Sequence, residues 1–348
     1  MLSKPIIKIP LFIIALLLVI YLILFLQPRT HYIEDNPFMA GEDNPPHIIA
    51  HAGGNMEFPD NTLEAFYNAY SVDENVIMEM DVAMTSDNVI VLTHDITFDR
   101  KTNLIEADVH ETAYQDLVND EVDFGYDNPI PNDAYNTDQI FERYTNFEGT
   151  EVTPLDVEYP EGVEARHEEK FLVTTLEEVI KAFPETYMIV ELKQFGDIGA
   201  EALDVLMDLL EDLDEDYNTF ERISLASFHR DIFDLYMELR SEDYPQLMFS
   251  PQEDSIRTFY TMHLFGVSGL FRDPVSSFQV PTGQGNIDLT TDRFVRTVQS
   301  HNIALHYWTI NDEETMRKLI EIGADGIITD RPTLMRSLIE EYYPEHYE

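Results

Sequence analysis

Residues 188–227 read MIVELKQFGDIGAEALDVLMDLLEDLDEDYNTFERISLAS. The stretch opens on five residues of strand chemistry at 188–192 and passes to apolar residues repeating at helical spacing over 198–213. It returns to strand chemistry at 223–227. A strand, a helix and a second strand in that order join parallel strands through a crossover, the repeating unit of α/β folds. Working outward, further strand-like runs lie at 48–50, 76–82, 89–93, 247–250, 303–308 and 326–329. Helical patterns at 62–70, 176–182, 292–300 and 313–322 separate most of them. This alternation predicts an α/β fold, a (β/α)8 TIM-like barrel, with an open doubly wound sheet as the alternative. Residues 104–170 interrupt it with Asp, Glu, Asn, Pro and Tyr, and are expected to be an acidic insertion with local order.

The N-terminal end has a different character. Between Ile9 and Leu26 every residue is apolar or Tyr except Pro10, a run that spans roughly 27 Å as a helix. Lys4 and Lys8 precede it, and no small-residue cleavage site follows at Leu26-Gln27-Pro28-Arg29-Thr30. Residues 1–28 are therefore expected to be an uncleaved transmembrane anchor, a single pass in the cell membrane with the domain extracytoplasmic. Residues 29–46, with Pro37, Pro45 and Pro46, are expected to be a linker that lifts a domain of residues 47–348 off the membrane. The chain has no Cys, so no disulfide supports it.

Charge narrows the partners. The chain holds 67 acidic against 21 basic residues, and none of the acids lies in residues 1–30. A surface of that sign repels phosphate backbones, which excludes nucleic acid as a partner. It suits a solvated exterior at high ionic strength, where screening suppresses self-repulsion.

Four constellations carry chemistry. Ile49-Ala50-His51-Ala52-Gly53-Gly54 is a short strand ending in His and a glycine turn. Met78-Glu79-Met80-Asp81-Val82 and the run ending at His94-Asp95 flank Thr85-Ser86-Asp87-Asn88 and read as a hairpin. With Asp87 and Asn88 as the turn, Asp81 falls opposite His94, and period two puts Glu79 on the same face. Met188 to Lys193 ends in Glu191 and Lys193, which in a barrel gather at the catalytic mouth or form a plain ion pair on its rim. Trp308, the only Trp, ends a strand-like run as either an aromatic wall or a core residue. If Glu191 joins Glu79 and Asp81, three hard oxygen donors suit Ca²⁺ or Mg²⁺.

In order along the chain stand His51 with Gly53, Pro59-Asp60-Asn61-Thr62-Leu63-Glu64-Ala65-Phe66, Glu79-x-Asp81, His94-Asp95 and Thr175-Leu176-Glu177-Glu178. Glu191-Leu192-Lys193, Trp308-Thr309-x-Asn311 and Gly326-Ile327-Ile328-Thr329-Asp330-x-Pro332 follow. This series resembles the glycerophosphodiester phosphodiesterase family, whose fold is an α/β barrel. The resemblance implies that Glu79, Asp81 and Glu191 hold a divalent ion and that His51 and His94 act as acid and base. It further implies that Lys193 contacts the phosphate and that Asn61 stands beside the metal site; Lys193, Trp308 and Asn61 are the expected substrate-binding residues. The family usually has Arg after the first His, and this chain has Ala52. The implied reaction is metal-dependent hydrolysis of glycerophosphodiesters to glycerol 3-phosphate and an alcohol. The alternatives are a phospholipase-like or cell-envelope polymer phosphodiesterase and, because of Ala52, a catalytically silent anchored binding module.

Overall fold

The computed structural model describes residues 8–41, 43–119, 121–129 and 140–347. Among them the strands are β1 (His47–Ala50), β2 (Ile77–Met84), β3 (Ile90–Leu92), β4 (Met188–Leu192), β5 (Ile223–Ala226), β6 (Met248–Phe249), β7 (Ser277–Val280), β8 (Gly283–Gln284), β9 (Ile287–Asp288), β10 (Ala304–Tyr307) and β11 (Gly326–Thr329). The helices are α1 (Lys8–Phe25), α2 (Leu63–Val72), α3 (Tyr114–Leu117), α4 (Leu176–Ala182), α5 (Gly196–Tyr217), α6 (Thr219–Arg222), α7 (Arg230–Glu242), α8 (Glu253–Leu264), α9 (Asp292–Gln299), α10 (Glu313–Glu321) and α11 (Pro332–Tyr342).

Eight strands run parallel in the order β6-β5-β4-β2-β1-β11-β10-β7. The two ends of that order meet. Ser276 N–H donates to the Phe249 carbonyl at 2.9 Å, and the hydroxyls of Ser250 and Ser277 lie 2.7 Å apart. The sheet is thus the expected barrel and not the open alternative, because an open sheet would leave β6 and β7 as separate edges.

One expected strand leaves the barrel order, and one that was not expected takes its place. The run at 89–93 becomes β3, an antiparallel arm on β2 outside the barrel order, and the missing barrel strand is β7. Its serines weaken the hydrophobic signal, and the fold uses them at the seam, where Ser276 also pairs hydroxyl to hydroxyl with Ser224 at 2.8 Å. The hairpin register also shifts by one. Val82 stands opposite Leu92 and Met84 opposite Ile90, so Asp81 is level with Thr93 instead of His94. The cause is a three-residue loop, Ser86-Asp87-Asn88, closed by Thr85 N–H on the Val89 carbonyl at 3.0 Å, with Asn88 at φ 60°. Left-handed Asn at that position absorbs the extra residue.

Inside the barrel, side chains follow period two. Ile49, Ile77, Ile189, Ala226, Met248, Ala304 and Ile328 form one buried cluster, while Ile48, Met78, Val190 and Ile327 face the helices in the larger core. Ala304, small and at the start of β10, leaves room at the barrel floor, and Phe38 fills it with no exposed surface. Such burial is worth about 1.5–3 kcal/mol. Asn36 Nδ2 donates to the carbonyls of Ser276 (2.7 Å) and Asn302 (3.0 Å), and His306 Nε2 donates to the Phe38 carbonyl at 2.9 Å. This corrects the expectation for residues 29–46: the second half of the supposed linker belongs to the barrel, whose boundary lies before His47.

The described parts of the insertion are ordered against the loop after β1. Tyr144 Oη donates to the Asn55 carbonyl at 2.7 Å, and Phe147 N–H donates to that of Met56 at 2.9 Å. Asp120 and residues 130–139 lie outside the described residues. At the N-terminus the apolar run is helical as α1, and no helix among the described residues is long and apolar enough to cross a membrane. The expected span therefore has an observed helix but no observed crossing, and residues 1–7, including Lys4, lie outside the described residues.

Candidate active site

The inward positions of the strands turn from apolar to charged toward their C-terminal ends. On β2 the series is Ile77, Glu79, Asp81; on β4 it is Ile189, Glu191, with Asp81 paired to Glu191 in register. One ligand oxygen from each of Glu79, Asp81 and Glu191 lies within 4.8 Å of the others. Glu79 Oε2 accepts the Ala52 N–H at 2.8 Å. Lys193 Nζ lies 2.9 Å from Glu191 Oε1 and 3.2 Å from Asp81 Oδ1.

This cluster has more negative charge than its neighbours offset. Burial, and then the charge of Asp81, push the Glu79 carboxyl above the usual carboxylate range. Burial also raises Glu191, against the opposing pull of Lys193. The Lys193 ammonium is raised in turn, since Asp81 and Glu191 outweigh the burial that would lower it. Three converging carboxylates beside one ammonium, all hard oxygen donors, form a set that could hold a divalent metal ion.

Each histidine stands on a carboxylate. His51 follows β1 in a tight turn that needs Gly53 at φ 87°, where a Cβ would meet Ala65 at 2.7 Å. Its Nδ1 donates to Asp330 Oδ1 at 2.6 Å, and Asn311 Nδ2 donates to the other oxygen, also at 2.6 Å. Burial alone would lower His51, but the Asp330 hydrogen bond and the charges of Glu79, Asp330 and Asp81 raise it to about 10. His94 Nδ1 lies 2.9 Å from Asp95 Oδ1, and Arg100 Nε donates to Asp95 Oδ2 at 2.6 Å. The Asp95 bond raises His94, while Asp95 itself falls to about 2 because His94 and Arg100 outweigh its burial. In both pairs the carboxylate occupies Nδ1 and leaves Nε2 for proton exchange.

Trp308 is half-buried and packs edge-on against Phe228 at 5.7 Å. With Ile256, Tyr260, Val280 and Leu289 it walls a cavity of about 320 Å³ that reaches Glu191. It is therefore a wall of the mouth and not a core residue. Asn61 is 4% exposed and stands beside the carboxylate cluster. Its Nδ2 donates to Asp81 Oδ2 at 2.9 Å, and its Oδ1 accepts the Asp81 N–H at 3.0 Å. It positions a carboxylate.

A glycerophosphoryl diester phosphodiesterase family model matches residues 51–334. The chain belongs to this family. Among its relatives, the Bacillus subtilis protein YqiK is 25% identical over 84% of this chain and 98% of its own length. A glycerophosphodiester phosphodiesterase of Caldanaerobacter subterraneus is 24% identical over the same shares. A lysophospholipase D of Rattus norvegicus is 22% identical over 84% of this chain and 85% of its own. Among solved structures, a glycerophosphoryl diester phosphodiesterase domain from Mycobacterium tuberculosis superposes with a TM-score of 0.62 at 18% identity, over 85% of this chain and 99% of that one. An Oleispira antarctica phosphodiesterase bound to sn-glycerol-3-phosphate gives 0.56 at 16% identity, over 85% and 97%.

As a glycerophosphodiester phosphodiesterase the chain is a phosphoric diester hydrolase. Four of its site residues had no assigned role in the sequence: Asp330, Asn311, Asp95 and Arg100. Period two was the available signal for Asp330, which stands two residues beyond inward Ile328. Ala52 leaves Lys193 as the cation in contact with the carboxylate cluster among the described residues. Arg100 is spent on Asp60, Asp95 and Asp127, and Arg331 lies over the Phe147 ring at 4.5 Å.

Proposed function

We propose that the chain hydrolyses glycerophosphodiesters to glycerol 3-phosphate and an alcohol, with His51 and His94 as the proton-transferring pair. The observation that carries this reading is the placement of two carboxylate-backed imidazoles around Glu79, Asp81, Glu191 and Lys193. A Ca²⁺ or Mg²⁺ ion held by the three carboxylates would offset the charge of the phosphoryl oxygens. Lys193 adds a second positive charge at the same oxygens.

One imidazole takes the proton of the glycerol hydroxyl beside the ester as its oxygen attacks phosphorus. The other gives a proton to the departing alcohol as the P–O bond breaks. Water then opens the resulting cyclic phosphate, with the two imidazoles exchanging roles. Asp330 and Asp95 hold each ring in one tautomer through both halves.

We extend the proposal to location: residues 1–28, of which α1 is part, serve as a single-pass anchor in the cell membrane, with the barrel on the extracytoplasmic side. Protease added to intact cells would then degrade the barrel, and complete protection would refute it. For the chemistry, the test is release of glycerol 3-phosphate from glycerophosphocholine with and without added metal. His51→Ala and His94→Ala should each lower turnover by about 10² to 10⁴ while metal still binds. No metal-stimulated release from the parent would end the proposal.

A further inference from the structure

The active site occupies the C-terminal end of the barrel, and α1 meets the opposite end. Tyr21 Oη donates to the Phe265 carbonyl at 3.2 Å, just past the end of α8. Phe25 lies against Gly266, and Gly269 leaves no room for a side chain beside the Gln27 carbonyl. The connections that carry these contacts lead from helix ends into strand starts, as does the Phe38 floor. On β2 the inward residues run from Ile77 near this face to Asp81 at the site, a distance of roughly 13 Å at about 3.3 Å per residue.

One patch of this lower face is basic, while the connections into β1, β2, β4 and β5 carry the exposed acids Glu34, Glu74, Glu185 and Glu221. Residues 1–33, 255–272 and 293–311 contain no acidic residue, in a chain with 67 of them among 348. They meet here. Exposed Arg29, His31 and Arg272 all act on His301, and together with burial they hold it down at about 4. His31 Nε2 also lies 3.2 Å from the Ser300 carbonyl. Beside this basic group Leu264 and Phe265 are 57% and 66% exposed. Above them, the described side chains of α1 from Phe12 onward are apolar and largely exposed around the helix, not along a single stripe. A helix that docks on a protein carries one apolar face; one that is apolar all round suits hydrocarbon.

We propose that the N-terminal face of the barrel rests on the headgroups of the membrane that α1 enters, with Arg29 and Arg272 against anionic lipid and Leu264 and Phe265 at the interface. The active-site mouth then points away from that membrane. Its substrate arrives through water, as a diffusible glycerophosphodiester, and not from the plane of the bilayer beneath. The inference rests on the anchor reading above and adds an orientation that the anchor alone does not fix. Charge complementarity selects the part of this face that meets lipid, the patch of Arg29 and Arg272, since the acidic surface around it would be repelled by anionic headgroups.

The chain lacks Cys, so a single introduced thiol reports one place. The full chain is reconstituted in phosphatidylcholine vesicles containing phosphatidylglycerol and a headgroup quencher, carrying a fluorophore at Leu264→Cys or at Ile287→Cys beside the mouth. Quenching is expected at 264 and not at 287. In a second pair, Arg29→Gln with Arg272→Gln should lower quenching at 264 severalfold on anionic vesicles and leave it little changed on pure phosphatidylcholine. Equal quenching at both sites, stronger quenching at 287, or a floating protein quenched at neither would overturn the orientation. A chain that does not float with vesicles, or that buries α1 in a dimer, defeats the anchor reading and the orientation with it. Glycerol 3-phosphate release by the same samples reports separately on the phosphodiesterase reading.

Discussion

Asn61 grips Asp81 at both ends of one residue, donating to its carboxylate at 2.9 Å and accepting from its backbone N–H at 3.0 Å. The grip fixes which way a buried carboxylate points, and a fixed donor is what a small cation site requires. Asn61→Ala should therefore lower divalent metal affinity by about 10 to 100-fold without unfolding the protein. Calorimetric titration of parent and variant measures it, and unchanged affinity would show that Asp81 holds its position unaided.

Asp330 acts on the reaction through His51. In Asp330→Asn the ring loses a charge at Nδ1 and the constraint on its tautomer, so turnover should fall by about 10² to 10⁴ while metal affinity stays near that of the parent. The pH profile supplies the distinguishing readout. His51 is raised largely by Asp330, so the limb it governs should move to lower pH in the variant. A fall in turnover with an unmoved profile would mark a purely structural role.

Asp60 and Lys101 form a pair that is 4% and 3% exposed, and Arg100 adds a second contact to Asp60. Burial opposes the Asp60 charge, yet Lys101 and Arg100 hold its carboxyl well below the usual range. Removing one partner leaves a buried charge alone, which costs about 3–5 kcal/mol. Asp60→Asn should lower the denaturant midpoint accordingly. Lys101→Met with Asp60→Leu should recover much of the loss, and equal losses in both would point to packing instead.

The floor of the barrel should respond to mild acid. Burial holds the fully buried His306 down at about 4, so the unfolded chain takes up this proton first as pH falls below about 6.5. The stabilising contribution is complete above that pH and is lost on the way to 4. Asp325, raised by burial to about 6, works in the opposite direction over part of the same window. The comparison with His306→Gln isolates the histidine: thermal midpoints of the parent should fall more steeply between pH 6.5 and 4. Parallel curves would remove the effect.

The acidic exterior should make the protein more stable in salt. Thermal midpoints at neutral pH should climb from low to molar monovalent salt as like charges are screened. A flat or falling midpoint would mean that the excess charge sits too far apart to matter.

Why some of this was readable in the sequence, and some not, comes down to particular residues. β2 and β4 are legible because their inward residues change from Ile to carboxylate at a spacing of two, which names both the strand and its site. β7 is not, because its serines satisfy one another at the seam and look polar when read singly. The hairpin register turned on one left-handed Asn. Phe38 carried no pattern at all, since a plug is a single side chain matched to a hole made in large part by residues more than a hundred positions away. Asp330 lay within a motif already noticed, but its partner His51 is 279 residues distant, and only the ring of strands brings them together.

Phe38 also sets a schedule. The hole it fills is bounded by β1 and β2 at one end of the chain and by β10 and β11 at the other, and Asn36 bonds to carbonyls 240 and 266 residues later. A ribosome delivers those partners last. Until β11 has emerged, the aromatic ring and the two Asn36 donors must wait in water beside an unfinished cylinder, and the loop-closure cost is met only when the last barrel strand is present. Completion of the floor is thus a late event in the making of the barrel, placed by the sequence positions of its first and last strands.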